Sequence, residues 1–331
     1  MTPAGADGGL PAECVVNISE GRDRTVVDAV SAAGGELVLD VHSDADHHRS
    51  VLTLAGPLAD VEVAARRVAT LAVERIDLGA HRGVHPRLGA VDVVPFVPLR
   101  AVDGTATPWE SVLAARDGFA RWAGDELGVP CFLYGPERSL PEVRRGAFTA
   151  LTPDAGPGAP HPTAGAIAVG ARDVLIAYNV WIASGPGGRT PDEVVAVARD
   201  VAARLRRPGL RTLGLAVGGG AQVSCNVVEP DRVSLAEVYD DVARAAEAHG
   251  CEARQGELVG LLPESVLSAV PERRWAELCR RTQRCKVSRS ASVSSMTAVG
   301  RPRVDMAPPM LAHIGERDRT REIPESAIFR G

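Results

Sequence analysis

The apolar residues of this 331-residue chain change their spacing in the same order twice, and that repeat limits the folds open to it. Residues 14–18 form a short apolar run that reads as a buried strand ending at Ser19-Glu20-Gly21. Asp23 is placed to cap a helix that Gly34-Gly35 stop. Residues 36–42 and 49–56 are β-rich runs joined by a polar loop, after which Val61, Ala65, Val68, Ala72 and Ile76 recur at helical spacing. Residues 90–99 return to strand character, which completes the order βαββαβ; a helix over 108–127 and a strand over 131–134 follow. The second half repeats the order. It predicts a strand over 174–182, a helix over 191–206, a hairpin of 211–217 with 222–228 across Gly218-Gly219-Gly220, a helix over 234–249 and a strand over 254–261. Ser234 and Glu237 have the spacing of a capping box at the start of that last helix.

A βαββαβ unit buries its apolar surface by laying its helices on one face of its sheet. The predicted fold class is therefore α/β (α+β), with two ferredoxin-like βαββαβ subdomains, each a mainly antiparallel sheet with helices on one face. The expected boundaries are a disordered N-terminus over 1–12, a first subdomain over 13–165 and a second over 166–275. The Gly/Pro-rich stretch 153–165 reads as the linker between the halves. Residues 280–331 mix Arg, Ser and Pro without a sustained apolar period, so they read as a tail of low order.

Composition narrows the function classes. A net charge of −5 gives no general attraction for nucleic acid or acidic lipid, so neither is an expected partner. Six cysteines are scattered without a Cys-x-x-Cys pair, which argues against a zinc ribbon or a disulfide framework. The N-terminus lacks the basic start and apolar core of a secretory signal, and no apolar stretch reaches the length of a membrane span. The expectation is a cytoplasmic protein.

Five of the eight histidines, His42, His47, His48, His81 and His85, fall within 44 residues on two loop regions. An imidazole has an ordinary pKa of about 6.5 and contributes about 10²- to 10⁴-fold in rate as a general acid or base. One loop histidine alone is more often simply solvated; the density is what points to proton transfer. Asp40, Asp44 and Asp46 are the acids near enough in sequence to orient such a ring. A metal reading competes, with Asp44, Asp46, His47 and His48 or the pair His81 and His85 as ligands, but Gly83 and Pro86 disfavour the helix that would align the pair. No metal is expected. Arg49 and Arg87 flank the histidines as candidate partners for a carboxylate. The glycine-rich segments carry neither a P-loop ending nor a dinucleotide-binding context.

Three segments together resemble the glutamate formimidoyltransferase (formiminotransferase) family, which also forms the N-terminal half of formiminotransferase-cyclodeaminase. They are Glu13-Cys14-Val15-Val16-Asn17-Ile18-Ser19-Glu20-Gly21, His81-Arg82-Gly83-Val84-His85-Pro86-Arg87-Leu88-Gly89-Ala90-Val91-Asp92, and Gln255-Gly256-Glu257-Leu258-Val259-Gly260-Leu261-Leu262-Pro263. The resemblance is collinear over residues 13–274. It implies two α/β subdomains flanking a folate-binding crevice in a homodimer, and transfer of the formimino group from N-formimino-L-glutamate to N5 of tetrahydrofolate, a co-substrate, in histidine degradation. It places the catalytic role on His85, with His81 as a supporting neighbour; His42, Asp44, His48, Arg49, His81 and Arg87 are the candidate substrate-binding residues, the two arginines on their charge rather than on the motif. It places folate contact on Gly156, Pro157, Gly158, Ala159, Pro160, His161, Pro162, Thr163, Ala164 and Gly165. His42 stands where vertebrate-type members have Asp, and His48 where they have Asn. Those departures open one alternative, the same chemistry on another amine such as glycine in secondary metabolism; a separate alternative is a non-catalytic folate-binding protein. The next reaction, a deamination, is expected to need a separate partner enzyme.

Overall fold

The computed structural model describes residues 9–83, 87–101, 103–278 and 287–288. The first lobe opens with β1 (Pro11–Ile18), α1 (Arg24–Ala33), β2 (Val38–Asp44), β3 (Arg49–Pro57), α2 (Leu58–Arg75) and β4 (Val91–Pro98). These strands lie in the order β2-β3-β1-β4, all antiparallel, with Cys14 opposite Leu54 and Val16 opposite Leu52. The strand period of two sends Cys14, Val16 and Ile18 to one face, where they are fully buried under the helices. The opposite helical stripe is the one the spacing predicts: Val61, Ala65, Val68 and Ala72 are all inaccessible to solvent. Asp23 caps α1 by accepting from the backbone N–H of Thr25 and Val26. Truncating a side chain as deeply buried as Phe96 costs about 3–5 kcal/mol.

Two further strands extend this sheet beyond the ferredoxin-like core. After α3 (Trp109–Glu126) come β5 (Cys131–Tyr134), a short α4 (Leu140–Gly146) and β6 (Ile167–Ala171). β6 lies between β4 and β5 and runs parallel to both, giving the order β2-β3-β1-β4-β6-β5. All five residues of β6 are buried, as expected of a parallel strand covered on both faces.

The expected boundaries are corrected accordingly. The sheet of the first lobe runs through Ala171 rather than ending at 165, and residues 153–165, largely exposed, connect α4 to β6 within that lobe instead of tethering the halves. Asp154 N–H donates to the Cys131 carbonyl, Leu78 N–H to Thr163 and Ala90 N–H to Ala164. At the other end, Pro11 and Ala12 already belong to β1, so the ordered lobe starts before residue 13. Residues 1–8 and most of 280–331 lie outside the described residues; Val287–Ser288 pair in parallel with Leu262–Pro263.

The second lobe comprises β7 (Ile176–Ser184), α5 (Pro191–Leu205), β8 (Leu210–Val217), β9 (Gly220–Val227), α6 (Leu235–Glu247) and β10 (Cys251–Val259). Its order β10-β7-β9-β8 is the order of the first lobe's core, position for position. The sequence expectation of a capping box at Ser234 holds, and Thr190 with Glu193 forms another at α5. Among the described residues, the second lobe thus leaves one sheet face without helices of its own, and on the corresponding face of the first lobe only the short α4 packs, against β5 and β6. The two faces meet at a seam: His42 Nε2 of β2 lies 3.8 Å from Glu257 Oε1 of β10. Asp46 lies against Gly218, where a side chain would collide with its carboxylate.

Candidate active site

The histidine-rich turn after β2 folds against residues 81–83 and 87. His81 is buried and donates from Nε2 to the His48 carbonyl at 2.9 Å. Its Nδ1 accepts from the Arg87 guanidinium, which also donates to the Gly83 carbonyl at 2.7 Å. The rings of His48 and His81 stack with centroids 3.9 Å apart. Gly83 permits this closeness, because a Cβ there would lie 2.5 Å from the His47 carbonyl oxygen. Residues 84–86, His85 among them, lie outside the described residues, so the structure gives the two ends of the segment that holds His85.

Acids orient the other imidazoles, and only one of them is an aspartate expected from sequence. Asp44 accepts from the His47 backbone N–H at 2.7 Å and lies 3.1 Å from its Nδ1. Burial pushes the Asp44 carboxyl up, but the His47 ring and backbone N–H outweigh it and hold the group at about 2. His48 instead meets Glu20, with Nε2 3.0 Å from Oε1. His42 meets Glu257. Neither glutamate is singled out by sequence reasoning, because each is brought to its histidine only by the sheet or by the seam between lobes.

The floor of the first lobe's open face is a charge cluster that the sequence reading also missed. Asp92, almost fully buried, takes a two-pronged ion pair from Arg144 and accepts from the Leu88 backbone N–H at 2.6 Å. Burial raises its carboxyl, and Arg144 and Arg49 more than reverse this, so Asp92 stays ionised. Arg49 donates to the Asn17 side chain. Burial draws the Arg49 guanidinium down to about 10, with Asp92 opposing, which leaves it a cation at neutral pH. Asp92 was visible in sequence as the last residue of the histidine-containing motif, but its partner Arg144 lies 52 residues away. Its Leu88 bond fixes the exit of the segment that contains His85.

From the second lobe, Glu257 presents its carboxylate to the seam while accepting from the side-chain amides of Gln222 at 3.2 Å and Asn179 at 3.5 Å. The expected folate-contact segment divides in two. Gly156, Pro157, Gly158, Ala159 and Pro160 lie at the surface, with Gly156 against Gly124 of α3. Its other end reaches the motif: Thr163, Ala164 and Gly165 bond to Leu78, Ala90 and Gly89, while His161 Nδ1 accepts from the Ala164 N–H at 3.0 Å. Pro162 is exposed between the two ends. Among the described residues no three His, Cys, Asp or Glu side chains are grouped to hold a metal ion. The structure therefore gathers His42, Asp44, His48, Arg49, His81 and Arg87 on one face of the first lobe, with guanidinium groups for anions and imidazoles for protons.

Residues 11–172, the first lobe, match the formiminotransferase domain, N-terminal subdomain. Glutamate formimidoyltransferase of Streptococcus pyogenes serotype M1 is 35% identical over 286 residues, covering 78% of this chain and 91% of the relative. The enzyme of the same name from Thermoplasma acidophilum is 34% identical over 281 residues, covering 77% of this chain and 89% of the relative. Formimidoyltransferase-cyclodeaminase of Sus scrofa is 35% identical over 283 residues; there the match covers 77% of this chain and half of the pig protein. The paired lobes, the imidazole-lined face and these relatives define the class: the protein is a transferase of one-carbon groups. The chain belongs to the formiminotransferase family.

Proposed function

We propose that this enzyme moves the formimino group from N-formimino-L-glutamate to N5 of tetrahydrofolate, releasing glutamate and leaving 5-formiminotetrahydrofolate. N5 attacks the amidine carbon and a new C–N bond forms. The tetrahedral adduct loses a proton from N5, the glutamate nitrogen gains one, and the old C–N bond breaks. His85 serves as general base and then general acid, because one imidazole with a pKa near neutrality can take and return a proton in sequence. His42, Asp44, His48, Arg49, His81 and Arg87 are the candidate residues for orienting the donor, and the 156–165 segment for folate.

The observation that carries this reading is the folding of His81, Gly83 and Arg87, the described ends of the segment that holds His85, onto the turn of His47 and His48, which gathers imidazoles and a guanidinium group there. The reading includes a cytoplasmic homodimer acting in histidine breakdown. The test is purified protein with tetrahydrofolate and formiminoglutamate, following 5-formiminotetrahydrofolate; turnover supports the proposal, and folate binding without turnover of any donor refutes it.

The His42–Glu257 contact favours one variation on this reading. Glu257 brings a fixed carboxylate to the seam, and a donor with one carboxylate, such as formiminoglycine, meets less repulsion there than formiminoglutamate with two. A higher kcat/KM for formiminoglycine in the same assay selects that variation.

A further inference from the structure

The geometry points to His48 as an imidazolium that positions the loop carrying His85; this rests on the role proposed above for His85. Nδ1 of His48 lies 2.9 Å from the Arg82 carbonyl oxygen and Nε2 lies 3.0 Å from Glu20 Oε1. A carbonyl oxygen only accepts, so Nδ1 carries a hydrogen. Glu20 Oε1 also only accepts: it takes the backbone N–H groups of Gly21, Arg22 and Asp23 at 2.8, 2.7 and 2.9 Å. Burial raises the Glu20 carboxyl, but those N–H groups and His48 draw it below its ordinary range. Nε2 of His48 must therefore donate as well, and a ring with hydrogen on both nitrogens is a cation.

His81 has the opposite arrangement. Its Nε2 donates to a carbonyl, and its Nδ1 faces the Arg87 guanidinium, which can only donate. His81 is thus neutral, which spares the stacked pair a like-charge contact. The groups facing His48 are Glu20 from the turn after β1, the His81 ring and Arg82 carbonyl from the loop, and Gly83 against its Cβ. Arg87 reaches the far nitrogen of His81.

A neutral His48 loses one of its two ring bonds, and with it the charged tie between the Glu20 turn and the arm 81–83. Charge-assisted hydrogen bonds are the strong members of their class. The site also holds His48 in the left-handed region, at φ +50°, a backbone state that persists in a non-glycine residue where surrounding contacts enforce it. Position 85 follows this arm two residues after Gly83. A base displaced by about 1 Å can lose about 10²-fold in rate.

The test has a spectroscopic part and a kinetic part. Nitrogen-15 NMR of the histidine-labelled full chain at neutral pH should show both His48 nitrogens protonated and His81 protonated at Nε2 alone. His48→Gln should lower kcat by about ten- to a hundredfold. His48→Arg, which keeps a planar cation with several donors, should recover part of that loss. Glu20→Gln, which removes the carboxylate that Nε2 faces, should change the His48 Nε2 signal in the same spectrum and leave that of His81 in place. An unprotonated His48 nitrogen in the wild type, or wild-type kcat in His48→Gln, overturns the proposal. If His48→Gln fails to fold, the wild-type and Glu20→Gln spectra decide. If His85 is not the catalytic group, His85→Ala keeps its turnover while the NMR signature of His48 stands.

Discussion

The two lobes share one strand order and differ in what joins the strands. In the first lobe, residues 76–90 separate α2 from β4; at the same place in the second lobe, only residues 248–250 separate α6 from β10. The turn between β2 and β3 spans residues 45–48, whereas that between β8 and β9 spans Gly218 and Gly219. The longer connections carry His47, His48, His81 and Arg87, together with position 85. The second lobe offers side chains from its strands instead, Asn179, Gln222 and Glu257. In the proposed reaction the two copies of one fold thus take different parts: loops on a rigid scaffold carry the first lobe's chemistry, and a sheet face closes the seam opposite it.

Substitutions at four positions break or sharpen that contrast. Asp92→Ala should have the largest effect on stability, about 3 kcal/mol. That is the low end for a broken buried ion pair, since Arg144 keeps some contact with water. Urea unfolding reads this loss, and kcat should fall with it because Leu88 loses its anchor; Asp92→Asn, which keeps an acceptor, should lose less of both.

The next effect is one of pH. Asp44 has its folded pKa depressed from 3.8 to about 2, so its stabilisation is present above pH 4 and is lost as pH falls toward 2. Acid titration of stability should show up to about 2 kcal/mol of this loss in the wild type, and less in Asp44→Asn.

The second lobe should respond in stability without a change in chemistry. Thr190→Ala and Ser234→Ala each remove a helix cap at a cost of about 1 kcal/mol, with kcat unchanged. If either cap variant slows catalysis more than Asp92→Asn does, the division of labour between the lobes is wrong.

The sequence carried the architecture because it resides in local periodicity. The stripe of Val61, Ala65, Val68 and Ala72 and the alternation through β1 each say which face is buried, and both lobes repeat the pattern. β6 escaped because Ile167–Ala171 is buried on both faces and therefore shows no alternation, and because it follows a Gly/Pro-rich stretch that reads as a linker. At the site, the crowding of histidines was legible, but their partners were not. Glu20 is 28 residues from His48, and Glu257 meets His42 only where the lobes join. Side-chain pairing across that distance is set by sheet register and lobe contact, which no local pattern encodes.

The most direct test of the central claim, that the first lobe's loop supplies the proton-transferring group, is the transfer rate of His85→Ala with formiminoglutamate and tetrahydrofolate. The expected result is a fall in kcat of about 10²- to 10⁴-fold with unchanged unfolding behaviour. A variant that folds like the wild type and still transfers the formimino group at the wild-type rate would contradict it.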